Sequence, residues 1–369
     1  MLSRFGISEL LVASILLLGF GLVMVYSASA ARAEVVFGTS FAYLGRQTLA
    51  LLLGICIGAL CFFTPLAWLE RVGYAAWALS VLALVATFTP LGVGENGARR
   101  WIMLGGFPFQ PLEPAKLGVI FGISQWLASH QDRMQDYRVS IAVPGILAGV
   151  PALLLLLQPD FGGAMLIVMF TGVLIFAGGA RLDHIACTLA LVLPLALVVM
   201  VLREYRVARL TAFLDPWADP LGRGYQLVQS QLAFGAGGLF GAGFGAGQQK
   251  LFFLPEAHND FILSVVGEEV GLVGVAAVLI GFAVLTLSAL GIAQRAKTPF
   301  ATLVAVGASL LLWLQALLNS GVAMGLLPTK GSTLPLVSYG GTSLIASLAA
   351  IGLILNAARP SKRGRAGWR

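Results

Sequence analysis

Charge is scarce in this chain. Only 11% of its 369 residues are Asp, Glu, Lys or Arg, against about 25% in a soluble domain. That leaves too little polar surface to cover a water-soluble globule. Cysteine is sparser still. Cys56, Cys61 and Cys187 lie in apolar stretches, at spacings that suit neither a disulfide framework nor a zinc site. They read as small apolar core residues. No G-x-S-x-G elbow, H-E-x-x-H pair or C-x-x-C motif occurs, so hydrolase-elbow, zinc-protease and thiol-redox readings lack their residues. No G-x-x-x-x-G-K-[ST] loop occurs either. The glycine-rich run 235–247 has no G-x-G-x-x-G spacing and follows no strand, so no nucleotide is expected. No internal repeat is evident, which gives an inverted-repeat transporter no support.

What the chain does have is apolar length. It is 58% hydrophobic, with a mean hydropathy of +0.91. Stretches of roughly 20 apolar residues recur throughout, as in membrane-spanning helices. The short alternating segments of an outer-membrane barrel are missing. Forty-five glycines suit close helix approach in lipid. The reading is an all-α integral membrane protein of ten spans: 9–28, 48–66, 73–91, 114–130, 140–157, 161–179, 184–202, 260–293, 299–319 and 335–358. The eighth is long enough to be broken or tilted. Arg4, an apolar run and Ala28-Ser29-Ala30 imitate a secretory leader, but the run is long for one and nine spans follow. It is taken as an uncleaved first helix.

Lys and Arg set the orientation. Arg71, Arg133, Arg138, Arg181, Arg295 and Lys297 fall on the N-terminal side, and the short opposite loops hold only Arg32, Arg46, Arg99, Arg100 and Lys330. Both termini are then cytoplasmic in a bacterial inner membrane, and 92–113, 203–259 and 320–334 lie outside. Residues 1–358 form one polytopic domain with a large outer loop at 203–259. Residues 359–369 form a basic tail suited to anionic lipid. This topology accounts for the net charge of +7, and no nucleic-acid partner is expected.

The unusual residues cluster on the outer side, each with a plain structural alternative. Arg99-Arg100-Trp101 suits an interfacial belt, or a bidentate phosphate clamp. Glu113 and Lys116 share a helix face, as a structural pair or as functional charges inside an apolar helix. Asp160 in Gln158-Pro159-Asp160 caps the next helix or meets a cation. Glu256, His258 and Asp260 crowd the mouth of the eighth span, where Asn259 or Asp260 would cap the helix, or a carboxylate would act as base or metal ligand. Glu268 and Glu269 follow and require a partner or an aqueous cavity. Lys330 and Ser338 lie on a proline- and glycine-rich segment unfit for regular helix. The run 235–247 is a tight turn, a mobile flap or a backbone cradle.

GLVMVYSAS at 21–29, NGARRWI at 96–102, QPLEPAKL at 110–117, QPDFG at 158–162, LPEAHNDFI at 254–262, GEEVGLVG at 267–274 and LLPTKGSTLPLVSYGGTSL at 326–344 resemble, in order and over nearly the whole chain, the SEDS family of peptidoglycan glycosyltransferases. The last two motifs look closer to its FtsW, division branch than to its RodA, elongation branch. Leu112 and Pro114 depart from residues often found beside the glutamate, without touching a charged position. The resemblance implies a ten-span fold, lipid II as substrate, a class B penicillin-binding protein as partner alongside other division or elongation proteins, and an essential acid matched here by Asp260.

The expected reaction joins lipid II to a glycan carried on undecaprenyl pyrophosphate. Such a transition state calls for a base and an anion clamp. Asp260 is the expected base. Arg100, Lys116 and Lys330 are the expected clamp, and Glu113, Asp160, Glu256, His258 and Ser338 the further substrate-binding residues. A divalent cation, Mg or Mn, held by Asp260, Asp160 or Glu113, would share the work. A flippase of the same lipid is the competing reading, but a carrier places its site near the midplane.

Overall fold

A computed structural model describes residues 6–95 and 98–359. Arg4, Asn96, Gly97 and the basic tail beyond Arg359 lie outside them. The chain is mostly helical. In order come α1 (Ile7–Phe37), α2 (Ala42–Phe63), α3 (Leu66–Arg71), α4 (Gly73–Ala86), β1 (Gly92–Glu95), β2 (Ala98–Leu104), β3 (Phe107–Phe109), α5 (Leu112–Ser129), α6 (Val143–Leu157), α7 (Phe161–Ala177), α8 (Leu182–Val201), α9 (Glu204–Leu214), α10 (Tyr225–Gly237), α11 (Ile262–Glu269), α12 (Gly271–Gln294), α13 (Pro299–Ala323) and α14 (Gly341–Ala357). A single π-type turn at Arg138–Ala142 leads into α6. Among the described residues, six helices are long and apolar enough to cross a membrane: α1, α2, the 138–157 helix, α8, α12 and α13. α4, α7 and α14 are shorter and apolar.

Local chemistry sets several ends. Glu9, at the third position of α1, reaches back to accept from the Gly6 amide at 2.7 Å, which satisfies one orphan donor at the start of the helix. α13 begins with Thr298 accepting from the Ala301 amide and Pro299 in the first turn, where a missing N–H costs nothing. α2 lies against α14 through Gly54, Gly58 and Gly352, and a Cβ at Gly352 would run into the Gly58 carbonyl. Backbones approach this closely in lipid only at small residues.

α13 stands at the centre. On one side it joins α1, α11, α12 and α14, and on the other α5, α6 and α7. α8 differs, since none of its residues is buried.

Three expectations change and one is borne out. The segment 92–113 is not plain loop, because β1, β2 and β3 pair antiparallel as a small sheet. Its short, glycine-broken strands carry no alternation over four or more residues. The loop 203–259 contains α9 and α10. The eighth span is broken, one of the two forms expected of it: α11 ends at Glu269, and Gly271 at φ +76° opens α12. Cys56 and Cys187 are exposed on their helices rather than packed in the core, and all three cysteines are free.

Candidate active site

Two non-helical segments meet: 254–261, before α11, and 326–340, between α13 and α14. α11 starts at Ile262 with Phe261 in the capping position and no side-chain cap. Neither Asn259 nor Asp260 therefore closes that helix, and the capping alternative for Asp260 falls away. Asn319 of α13 ties the two segments together. Its amide donates to the Asp260 carbonyl at 2.8 Å and also to the Ser332 carbonyl. Ser338 is buried. Its hydroxyl donates to the Asn259 carbonyl at 2.6 Å and accepts from the Leu334 amide at 2.8 Å. Its capacity is thus spent on holding the segments in register, away from any open surface. The Tyr339 amide adds a bond to the His258 carbonyl at 2.9 Å.

The buried His258 ring packs against Tyr43 at 4.7 Å and Tyr339 at 5.6 Å. Burial pushes its pKa down to about 4, so it is neutral at neutral pH. Glu256, at φ +54°, forms a half-exposed ion pair with Arg32 at 3.4 Å and accepts from Asn259 at 2.7 Å. Asp260 is half-buried. Burial first, then the Glu256 charge, pushes its pKa up to about 7, against the pull of Lys330 and Arg209.

The segment that carries Lys330 lies beside this carboxylate: a Cβ on the adjacent Gly331 would stand 3.1 Å from Asp260 Oδ2, and the Lys330 charge acts on Asp260 through its field rather than as an ion pair. The Lys330 side chain runs over Gly162, within the field of Asp160, and burial lowers its pKa to about 8. Asp160 caps α7 by accepting from the Gly163 amide at 2.9 Å. Arg100 of β2 donates to the Pro159 carbonyl, which fixes the sheet over the same turn. The expected Glu113–Lys116 pair forms at 2.8 Å and is closed to solvent. Lys116 also donates to Gln315 at 2.8 Å, Gln315 to the Thr333 carbonyl at 3.1 Å, and Thr333 to Ser343 at 2.8 Å. This chain links α5, α13, the 326–340 segment and α14.

Among the described residues, no three His, Cys, Asp or Glu gather as a metal-ligand set. Glu113 is already paired with Lys116 and Asp160 engaged as a cap. The expected carboxylates therefore do not make a cation site by themselves.

The glycine-rich run proves to be a cradle, for protein carboxylates. Glu268 accepts from the Gln248 amide at 2.7 Å, and Glu269 from the Gly245 amide at 3.1 Å and Ser27 at 2.8 Å. The Lys250 ammonium pairs with Glu269 at 2.5 Å. The Ala242 and Gly243 amides bind the Glu268 and Glu269 carbonyls. A Cβ at Gly237 or Gly241 would strike the α11 backbone, so glycine there serves close approach.

Reasoning from sequence missed Asn319 and Gln315, which look like ordinary polar residues in an apolar helix. Buried polar groups in a span were the available signal. It also missed Arg206, buried on α9, although its i,i+3 spacing to Arg203 and Arg209 on an amphipathic stretch was visible.

The family model for the cell cycle proteins FtsW, RodA and SpoVE matches residues 8–363. The chain belongs to this family. It is 43% identical to a probable peptidoglycan glycosyltransferase FtsW of Thioalkalivibrio sp. (strain K90mix), over 96% of this chain and 89% of that protein. It is 40% identical to the corresponding protein of Geobacter sp. (strain M18), over 94% and 95%. Among solved structures it is similar to a chain of a peptidoglycan synthase complex that coordinates polymerization and crosslinking, with a TM-score of 0.79, 32% identity, and coverage of 97% of this chain and 99% of that one. It is also similar to the rod shape determining protein RodA of Thermus thermophilus, with a TM-score of 0.70, 30% identity and 97% of each chain.

Proposed function

We propose that this family member is a peptidoglycan glycosyltransferase of the FtsW, septal type, which polymerises lipid II at the outer face of a bacterial inner membrane. The observation that carries the reading is Asp260 at the meeting of the two segments, within the field of Lys330. A half-buried carboxylate tuned to titrate near neutrality suits a general base, and an ammonium at the same mouth suits a developing phosphate charge. The 4-hydroxyl of the lipid II sugar attacks the anomeric carbon of the growing glycan. Asp260 takes the hydroxyl proton as the new C–O bond forms. The bond to the carrier diphosphate breaks, and its electron pair leaves on the diphosphate, faced by Lys330 and Arg100. Lys116, closed off in its pair with Glu113, acts on this site through its field and through Gln315 and Thr333.

The ten-span topology, with both termini cytoplasmic and 203–259 outside, rests on the Lys and Arg asymmetry. It makes 1–358 one polytopic domain. A class B penicillin-binding protein is the proposed partner. Support comes from the relatives named FtsW and from the solved synthase complex similar to this chain. A divalent cation enters this proposal only as a companion of the substrate diphosphate.

Purified protein and its Asp260→Asn variant, each incubated with lipid II, test the reading by strand formation on a gel. Wild-type strands and a folded variant slowed by about 100- to 10,000-fold are expected, the loss typical of a general base. A stable variant polymerising at the wild-type rate would remove Asp260 from the mechanism.

A further inference from the structure

Joining two lipid-linked sugars brings two diphosphates to one protein at the same time. Lys330 and Arg100 flank the turn at Pro159 and can face one of them. The second needs its own cations, and α9 supplies two arginines without a carboxylate partner among the described residues.

Arg206 is buried, yet no carboxylate among the described residues comes within ion-pair distance of it. Its guanidinium lies 5.3 Å from the Phe161 ring and 5.4 Å from the Tyr205 ring. It donates to the Val199 carbonyl at 2.6 Å and to the Tyr205 hydroxyl at 2.9 Å. Arg209 lies 6.0 Å from the same Tyr205 ring and likewise has no acidic partner among the described residues. Its charge is felt at Asp260. Phe161 directly follows Asp160, so this pair opens on the same mouth as Lys330. Two guanidiniums thus lie within 6.0 Å of one tyrosine ring, and neither has an acid to neutralise it among the described residues. Planar guanidinium forks suit bidentate contacts to phosphate oxygens.

We propose that Arg206 and Arg209 form a second diphosphate site, which holds the carrier of one lipid-linked substrate while Lys330 and Arg100 hold that of the other. This rests on the polymerase reading above. The chemistry recognised is a phosphate at a membrane edge, and a phospholipid headgroup shares it.

Full-length protein in phosphatidylcholine nanodiscs, titrated with undecaprenyl diphosphate, distinguishes these. Wild type should bind two molecules. Arg206→Gln combined with Arg209→Gln should bind one, with the KM for lipid II raised about 10- to 100-fold, the scale of a lost charged hydrogen bond. Arg209→Gln alone carries the test if the double variant fails to fold, because that exposed side chain makes only the ring contact. Wild-type glycan synthesis with unchanged stoichiometry and KM in the variants would overturn this inference and leave the polymerase reading standing. Absence of wild-type synthesis would strike that reading itself. If added phosphatidylglycerol lowers the wild-type stoichiometry to one, α9 is a headgroup site and the proposal falls.

Discussion

The side chain of Lys330 lies directly over Gly162, so that a Cβ on Gly162 would overlap its Cγ, Cδ and Cε. The glycine of the turn between α6 and α7 is therefore the floor on which the ammonium rests. Gly162→Ala should leave the fold intact, because the far end of a lysine can swing aside. Displacing a catalytic cation by about 1 Å costs up to about 100-fold in rate. Initial rates of strand synthesis for Gly162→Ala, with melting in detergent measured alongside, check this. An unchanged rate would show that the position of Lys330 is immaterial.

The pH profile follows from two groups. Asp260 acts ionised and titrates at about 7, and Lys330 acts protonated and titrates at about 8. The rate should rise through the first value and fall through the second, a narrow bell whose limbs belong to the coupled pair. In Lys330→Arg the alkaline limb should disappear, because a guanidinium stays charged. A variant that keeps the same falling limb would assign it to another group.

Asp260 also carries a stability signature. Its carboxyl is raised from the ordinary 3.8 to about 7 in the folded protein. Between those values the folded state binds more protons than the unfolded one, so stability falls as pH rises through that window. Asp260→Asn should therefore melt above wild type at pH above 7, and the gap should close below about pH 4. Parallel melting curves at the two extremes of pH measure it, and a constant gap would contradict the shift.

The collar around Glu269 should be structural. Its side chain and that of Lys250 are almost fully buried, and they pair at 2.5 Å. Lys250→Met leaves the carboxylate without its cation, and removing one partner of a buried pair costs about 3–5 kcal/mol. A marked fall in detergent melting temperature is expected. Ser27 and the Gly245 amide remain as donors to Glu269, which limits the loss to the lower part of that range.

Orientation is checked at Leu221, which is 86% exposed. In a variant lacking the three natural cysteines, Leu221→Cys should react with an impermeant maleimide on intact spheroplasts. Labelling only after lysis would invert the topology and the site with it.

What the sequence makes legible is local. The Glu113–Lys116 pair follows from a spacing of three on a helix, and the helical spans follow from apolar runs. Glu268 and Glu269 announce only that buried acids need partners. Those partners are backbone amides about twenty residues earlier, and no periodicity marks them. Asp260 reads as a helix cap because capping is the commonest use of aspartate at such a place. Phe261 takes that position because Asn319 and Ser338 hold the preceding carbonyls in a turn. The small sheet escapes because strands of three to seven residues broken by Gly94, Gly105 and Gly106 show no alternation.

The bond between Ser27 and Glu269 spans 242 residues. Ser27 of α1 thus waits for a partner that is translated 242 residues later. Such long-range closure is slow, because a large loop must be ordered before the contact rewards it. Until then the Ser27 hydroxyl lacks its carboxylate and the glycine-rich collar has nothing to wrap. Closure of this contact therefore has to follow the translation of residue 269, and any shorter chain lacks it.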